Sequence, residues 1–164
     1  MFADQFQSLK LGFYGFNFKE RTVRLYDDGT TKLSTSTLPQ VGRGVAKLFE
    51  LPAAELEKYK NNFVRINSFH VSQMEMFTSV MKATGTEEKD WIVTKIPIDD
   101  AIAQGTEAFQ SGDRKGAIDI LYGMNFKPGA GGNFQHKSDN KVLGLEEEDL
   151  DEVVRRVVKE VEGN

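Results

Sequence analysis

Along the first eighteen residues apolar side chains fall at Phe2, Phe6, Leu9, Leu11, Phe13, Tyr14, Phe16 and Phe18, with Gly12 and Gly15 interrupting any long helix. So much apolar surface in so short a segment predicts that it packs on something. Val23 and Leu25 then alternate with Arg24 and Tyr26, and Asp28-Gly29 stands between this run and a second strand-like run through KLSTS. The pattern predicts a β-hairpin, because Asp-Gly tolerates the positive φ angles of a tight turn.

Thr37-Leu38-Pro39-Gln40 has the spacing of a capping box and predicts a helix start. Val41, Val45, Leu48 and Phe49 recur on one helical face until Pro52 ends the run. Gly42 and Gly44 would let that helix approach a neighbour closely, each at about 1 kcal/mol of helix propensity relative to Ala. Asn62 to Ser68, NFVRINS, predicts a short strand. Ser72 and Glu75 form a second capping box, with Val71 and Met76 at staple spacing and Gly85 as the expected end of the helix.

DWIVTKIP, Asp90 to Pro97, reads as a strand with Trp91, Val93 and Lys95 on one face. Asp99 or Asp100 is the expected cap of a helix through Phe109, and Ala117, Ile118, Leu121 and Tyr122 predict a shorter one. Last, Leu150, Val153, Val154, Val157 and Val161 make an apolar stripe. Acidic residues 146–149 precede it and Arg155, Arg156 and Lys159 lie towards its end, the order that the helix dipole favours. The run EEEDLDE reads as a solvated helix start rather than a cation site.

Composition narrows the classes without changing these elements. The 164 residues are 39% hydrophobic and 28% charged, enough to bury a core as one domain or half of something larger. With 21 basic and 25 acidic residues the formal charge is −4, and no basic stripe is interleaved with aromatics, which argues against nucleic acid as a partner. No cysteine is present, which removes disulfides, thiolate metal sites and a cysteine nucleophile. No stretch approaches the ~20 apolar residues of a membrane span, so no membrane partner is expected and the cytoplasm is the expected location.

The one nucleotide-like motif is KPGAGGNF, Lys127 to Phe134. A dinucleotide loop needs G-x-G-x-x-G after a strand and before a helix. Here Phe134 stands where the third glycine belongs, the loop follows a helix-like segment, and no P-loop Lys-Ser/Thr ending is present; a surface loop is the expected reading. His70 and His136 lie far apart with no cysteine companions, so no metal site is expected. No G-x-S-x-G elbow occurs. Of the Tyr-x-x-x-Lys pairs that a short-chain reductase would use for proton transfer, Tyr122 comes closest, with Lys127 one position too far. No complete catalytic set can be named.

The order of segments nevertheless resembles a known family. FADQFQSLKLGFYGFNFKERTVRLYDDG, STSTLPQVGRGVAKLFELP, VRINSFHVSQMEMFTSVMKATG and NKVLGLEEEDLDEVV are similar to the C-terminal half of fungal NmrA-like proteins, in the isoflavone-reductase-like branch of the atypical short-chain dehydrogenases. The resemblance spans nearly the whole chain. It implies an α/β to α+β fold, the C-terminal part of a Rossmann-type architecture, with a β-hairpin, a few short strands and about five helices. Residues 1–164 would form a single substrate-side region, an incomplete domain, and Met1 would fall mid-domain, as in a truncated gene model or a fragment.

Family members carry the glycine-rich NAD(P) loop and, in active reductases, a catalytic lysine in the half that precedes this region. NADP is therefore the cofactor implied for the full-length family and is not expected to bind this chain by itself. The implied ligand is a small aromatic or carbonyl-bearing substrate held between the two halves. Phe13, Tyr14, Phe16 and Phe18 would lie near it, with Phe126 and Phe134 as outer candidates, against the plainer reading that these side chains are core. NFVRINS would be a strand of the parallel sheet, and without its neighbours its edge and the Phe-rich first segment would be open. Marginal stability or self-association is then expected. Two alternatives to a reductase half are a non-catalytic, dinucleotide-sensing regulator of the NmrA kind and a stand-alone binding fragment.

Overall fold

The structure is a computed structural model that describes residues 5–163; Phe2 lies outside them. The Phe-rich segment opens with a short helix, α1 (Gln5–Lys10), and turns through Gly12 and Gly15, both at positive φ. It then enters β1 (Phe16–Asn17), which pairs antiparallel with β2 (Thr22–Tyr26) across a turn at residues 18–21. A hairpin is thus present, but it lies one element earlier than the sequence predicts. The second edge of β2 is taken by β5 (Ile92–Ile96) in parallel register, Val23 opposite Val93 and Leu25 opposite Lys95.

With both edges of β2 occupied, the run after Asp28-Gly29 cannot pair with it. This run forms β3 (Lys32–Thr35), which pairs antiparallel with β4 (Phe69–Ser72) in a separate two-stranded sheet. Asp28 and Gly29 still make a turn, in which the Asp28 carboxylate accepts from the Thr30 amide at 2.9 Å and Gly29 takes φ 75°. The turn redirects the chain between sheets instead of closing a hairpin.

NFVRINS is not a strand. Its backbone is met by the 139–140 loop: the Arg65 amide donates to Asp139 Oδ2 at 2.7 Å, and Asn140 Nδ2 donates to the Asn67 carbonyl at 2.6 Å. These side chains give the segment the partners that a sheet would otherwise supply. The strand begins at Phe69 and is antiparallel to its neighbour.

Seven α-helices surround the sheets among the described residues. The predicted capping box starts α4 (Gln73–Thr84): Ser72 accepts from the Glu75 amide, Glu75 accepts from the Ser72 amide, and Gly85 closes the helix in the left-handed conformation at φ 65°. The staple residues Val71 and Met76 are both buried. α5 (Ile98–Gln110) is capped neither by Asp99 nor by Asp100; Asp27, at the end of β2, accepts from the Ile98 amide at 3.0 Å. α6 (Gly116–Phe126) extends four residues beyond the predicted Tyr122. It meets α5 where Gly105 and Gly116 bring the two backbones together with no room for a Cβ on either.

The final helix, α7 (Leu150–Glu162), buries Val153, Val154, Val157 and Val158 and is capped by Asp149. No helix among the described residues is long and apolar enough to cross a membrane.

One continuous core joins Leu9, Tyr14, Phe16, Phe18, Val23, Leu25, Phe77, Trp91, Phe126 and the α7 valines. The Phe-rich segment is therefore closed, not open: Phe16 packs on Phe77, Phe18 edge-on against Trp91, and Tyr14 edge-on against Tyr122. Openness occurs elsewhere. α2 (Leu38–Glu50) begins as predicted, with Thr37 accepting from the Gln40 amide, and short α3 (Ala53–Leu56) follows it. Yet the buried residues of α2 are Gln40 and Gly44, while Val45 and Phe49 are 46% and 73% exposed.

A backbone contact explains why α2 sits this way round. Ile66 and Leu145 press on Gly44, where any Cβ would collide with the Ile66 side chain, whereas Gly42 faces open space. Gln40 donates to the Glu146 carbonyl at 2.9 Å and accepts from Arg43. The helix is thus anchored by its small and hydrogen-bonding positions, and the part of its apolar stripe formed by Leu38, Val45 and Phe49 is turned outward.

Candidate functional site

The residues singled out by resemblance do not converge on one cavity. Tyr14 and Phe126 are core side chains, their rings 6.0 Å apart, and the Tyr14 hydroxyl shares a 3.0 Å hydrogen bond with Thr35. Phe13 is partly buried against Tyr122, whose hydroxyl meets Ser8 at 2.6 Å. Phe134 is half-buried beside β3, its amide donating to Ser34 Oγ at 3.2 Å. Phe16 and Phe18 border open volume, a groove of about 470 Å³ with Lys10, Gly12, Gly15, Lys19 and Arg24 on its walls.

In that groove the cations are largely committed. Lys10 pairs with Glu160 at 2.6 Å and Arg24 with Asp119. Arg24 also lies over the Tyr26 ring at 5.9 Å. Burial raises the Tyr26 hydroxyl above its ordinary pKa, with Arg24 opposing, so this tyrosine stays protonated and neutral at physiological pH. The groove has an apolar floor in Phe16 and Phe18 and a rim on which Lys10 and Arg24 are already paired with carboxylates.

A second, larger cleft of about 690 Å³ runs along β4 and α4 to the start of α7, lined by Lys32, His70, Glu75, Ser79, Lys82, Gln135 and Asp151 among others. Its carboxylates serve the fold. Glu75 closes the capping box and pairs with Lys32 at 2.6 Å, while Asp151 accepts from Ser79 Oγ at 2.5 Å and from Lys82 at 3.2 Å. Glu148, expected to be a solvated acid, accepts from Thr37 Oγ1 and from Arg43, both at 2.6 Å. Burial opposes the ionisation of Glu75 and Glu148, but hydrogen bonds from Lys32 and Ser72 to the first, and from Ser68, Thr37 and Arg43 to the second, prevail and hold both below the ordinary carboxylate range.

His70 is the exception in this cleft. Its Nδ1 is buried with no hydrogen-bond partner. Burial, together with nearby Lys32, pushes its pKa down despite Glu75, so the ring is neutral near pH 7. Among the described residues no hydrogen bond joins it to a serine, so a nucleophile–base pair is not assembled. His136 lies exposed in a 3₁₀ turn, remote from any carboxylate cluster that could hold a metal among the described residues.

The glycine loop has a structural task. The Gly132 carbonyl accepts from the Ser34 amide at 2.9 Å, capping the edge of β3, and a Cβ on Gly132 would collide with the Asn125 carbonyl of α6. Lys127 pairs with Asp99 at 2.6 Å. The loop is followed by a three-residue 3₁₀ turn (Gln135–Lys137) and not by an α-helix, so it does not fit a dinucleotide phosphate and no chemical step runs through one here.

Gln40, expected to reach back in the Thr37 capping box, instead turns its buried side chain to the Glu146 carbonyl, and the part played by a second buried glutamine, Gln73, went unread in the sequence. Gln73 joins three backbone groups: its Nε2 donates to the Tyr14 and Arg24 carbonyls at 2.8 and 3.1 Å, and its Oε1 accepts from the Tyr26 amide at 2.7 Å. It ties the aromatic segment to β2 from the first turn of α4. No local signal marks it, because a glutamine after a cap is ordinary on a solvated helix start.

Fold and geometry together define a mixed α/β protein related in architecture to nucleotide-sugar epimerases. A nucleoside-diphosphate-sugar epimerase from Staphylococcus aureus superposes with a TM-score of 0.55 at 14% identity, over 92% of this chain and 48% of that one. No protein-family model matches the chain.

Among curated proteins, the oxidoreductase poxI of Penicillium oxalicum is 26% identical over 149 residues, covering 88% of this chain and 45% of the relative. The oxidoreductase aprR of Aspergillus flavus is 26% identical over 149 residues, covering 90% and 48%. The chain spans about half the length of the curated relatives it matches.

Proposed function

We propose that this chain is the substrate-side, C-terminal half of an NmrA-like, NAD(P)-dependent oxidoreductase-like protein that acts on a small aromatic or carbonyl-bearing compound. It is inactive by itself. The observation that carries this reading is similarity over 88–90% of the chain to two fungal oxidoreductases, on an epimerase-like fold. In this reading NADP is held by the remainder of such a protein, and the groove beside Phe16 and Phe18 faces the substrate, with Lys19 and Arg24 at its rim.

The test is a pair of NADPH titrations followed by the fluorescence of Trp91. The isolated chain is expected to show no saturable binding. A chimera in which it replaces the matched segment of poxI is expected to saturate at micromolar concentrations, with poxI itself titrated alongside. Micromolar saturation by the isolated chain, or a folded chimera that binds no NADPH while poxI binds it, would overturn the reading.

A further inference from the structure

The apolar stripe of α2 is the least explained surface of the molecule. On this thirteen-residue helix Gln40 and Gly44 are buried, Val41 and Leu48 beside them are half-buried, and Leu38, Val45 and Phe49 carry the stripe out to solvent at 55%, 46% and 73% exposure. An amphipathic helix on a finished globular surface turns its stripe inward; here Ile66 on Gly44 and the Gln40–Glu146 bond hold it outward. The outward position is built by specific contacts.

Resting on the reading of the chain as half of a longer fold, we propose that this stripe is the docking surface for the other half: the polypeptide that makes up the rest of the relatives' length. Two observations select that occupant. The likeness to poxI, aprR and the epimerase takes in 88–92% of this chain but only 45–48% of those proteins. Their fold therefore continues for as much again beyond the shared part, and the shared part must present a face to it. The second observation is charge. Arg43 is tied to Glu148 and Lys47 to Glu50, each at 2.6 to 2.7 Å, so the cations beside the stripe are neutralised within the chain. An anionic membrane surface or nucleic acid would call for free cations along the helix; an apolar stripe with a satisfied rim fits a folded protein face.

Thermal melts of the isolated chain and of the poxI chimera, each with and without Val45→Glu and Phe49→Glu, test the assignment. In the isolated chain both positions are exposed, and Tm is expected to stay within about 2 °C. In the chimera, which is expected to melt in one transition, the double substitution is expected to lower Tm by about 10 °C or to split the transition. Val45→Leu with Phe49→Leu is expected to retain the parent Tm.

Equal responses in chimera and isolated chain would overturn the proposal, as would an unsubstituted chimera that melts in two independent transitions. Sedimentation of the isolated chain as a dimer that the glutamates dissociate would instead name a second copy as the occupant and overturn it too. A chimera that melts as one unit yet binds no NADPH counts against the oxidoreductase reading and leaves the docking surface standing.

Discussion

The aromatic segment through Phe18 and the helix α2 are both rich in apolar residues, and they meet opposite fates. The first was expected to be left open, yet Leu9, Tyr14, Phe16 and Phe18 lie in the core. The second has the periodicity of a helix packed on a neighbour, yet Phe49 stands 73% exposed. Apolar content and period set the kind of element, but burial is settled by what the opposite face can bond. The aromatic segment is drawn in by Gln73, which satisfies its Tyr14 carbonyl. α2 is held by Gly44 and Gln40, with Val41 and Leu48 half-buried beside them, leaving Leu38, Val45 and Phe49 exposed.

The largest expected effect comes from truncating the two regions in parallel. Tyr14→Ala, which empties a buried ring site and removes the bond to Thr35, is expected to cost about 4 kcal/mol, whereas Phe49→Ala in the same chain should shift stability by no more than about 0.5 kcal/mol. Urea denaturation of both variants checks this; a comparable loss at Phe49 would mean that α2 is packed in solution and that the contrast is false.

Next, Gln73→Ala strands the Tyr26 amide and two carbonyls inside the protein. A loss of about 3 kcal/mol is expected from unsatisfied buried groups. Loss of less than about 1 kcal/mol would show that the aromatic segment is held by packing alone.

The smallest effect is a pH dependence at His70. Its folded pKa lies below the ordinary 6.5, so the unfolded chain takes up the proton first. The stability associated with a neutral His70 is complete above about pH 6.5 and declines as the pH falls towards the folded value. His70→Gln is expected to flatten that part of the stability profile. The acid loss from Glu75 and Glu148 lies lower, below the ordinary carboxylate value of 4.5, and should survive the substitution. An unchanged slope near pH 6 in the variant would show that His70 is hydrated and unperturbed.

Much of the fold was legible locally. The Ser72 capping box, the Gly85 terminus, the Thr37 cap and the valine stripe of α7 appear where their residues predict them, because a cap or a helical face is decided within one or two turns of chain. Strand pairing was not legible. Asp28-Gly29 makes a turn in either arrangement, and only the arrival of β5 from far along the chain denies β3 the edge of β2. The candidate site suffered likewise: Phe13, Tyr14, Phe16, Phe18, Phe126 and Phe134 carry the same chemistry in a pocket as in a core.

The sequence by itself determined the starts of α2, α4 and α7 and the absence of a thiol, since each depends on neighbours within a few residues or on composition. Tertiary structure alone decided which strands share a sheet, that Asp27 rather than Asp99 caps α5, and that α2 faces outward. Those outcomes depend on groups distant in the chain competing for the same backbone partners and the same space, and such competition leaves no trace in local spacing.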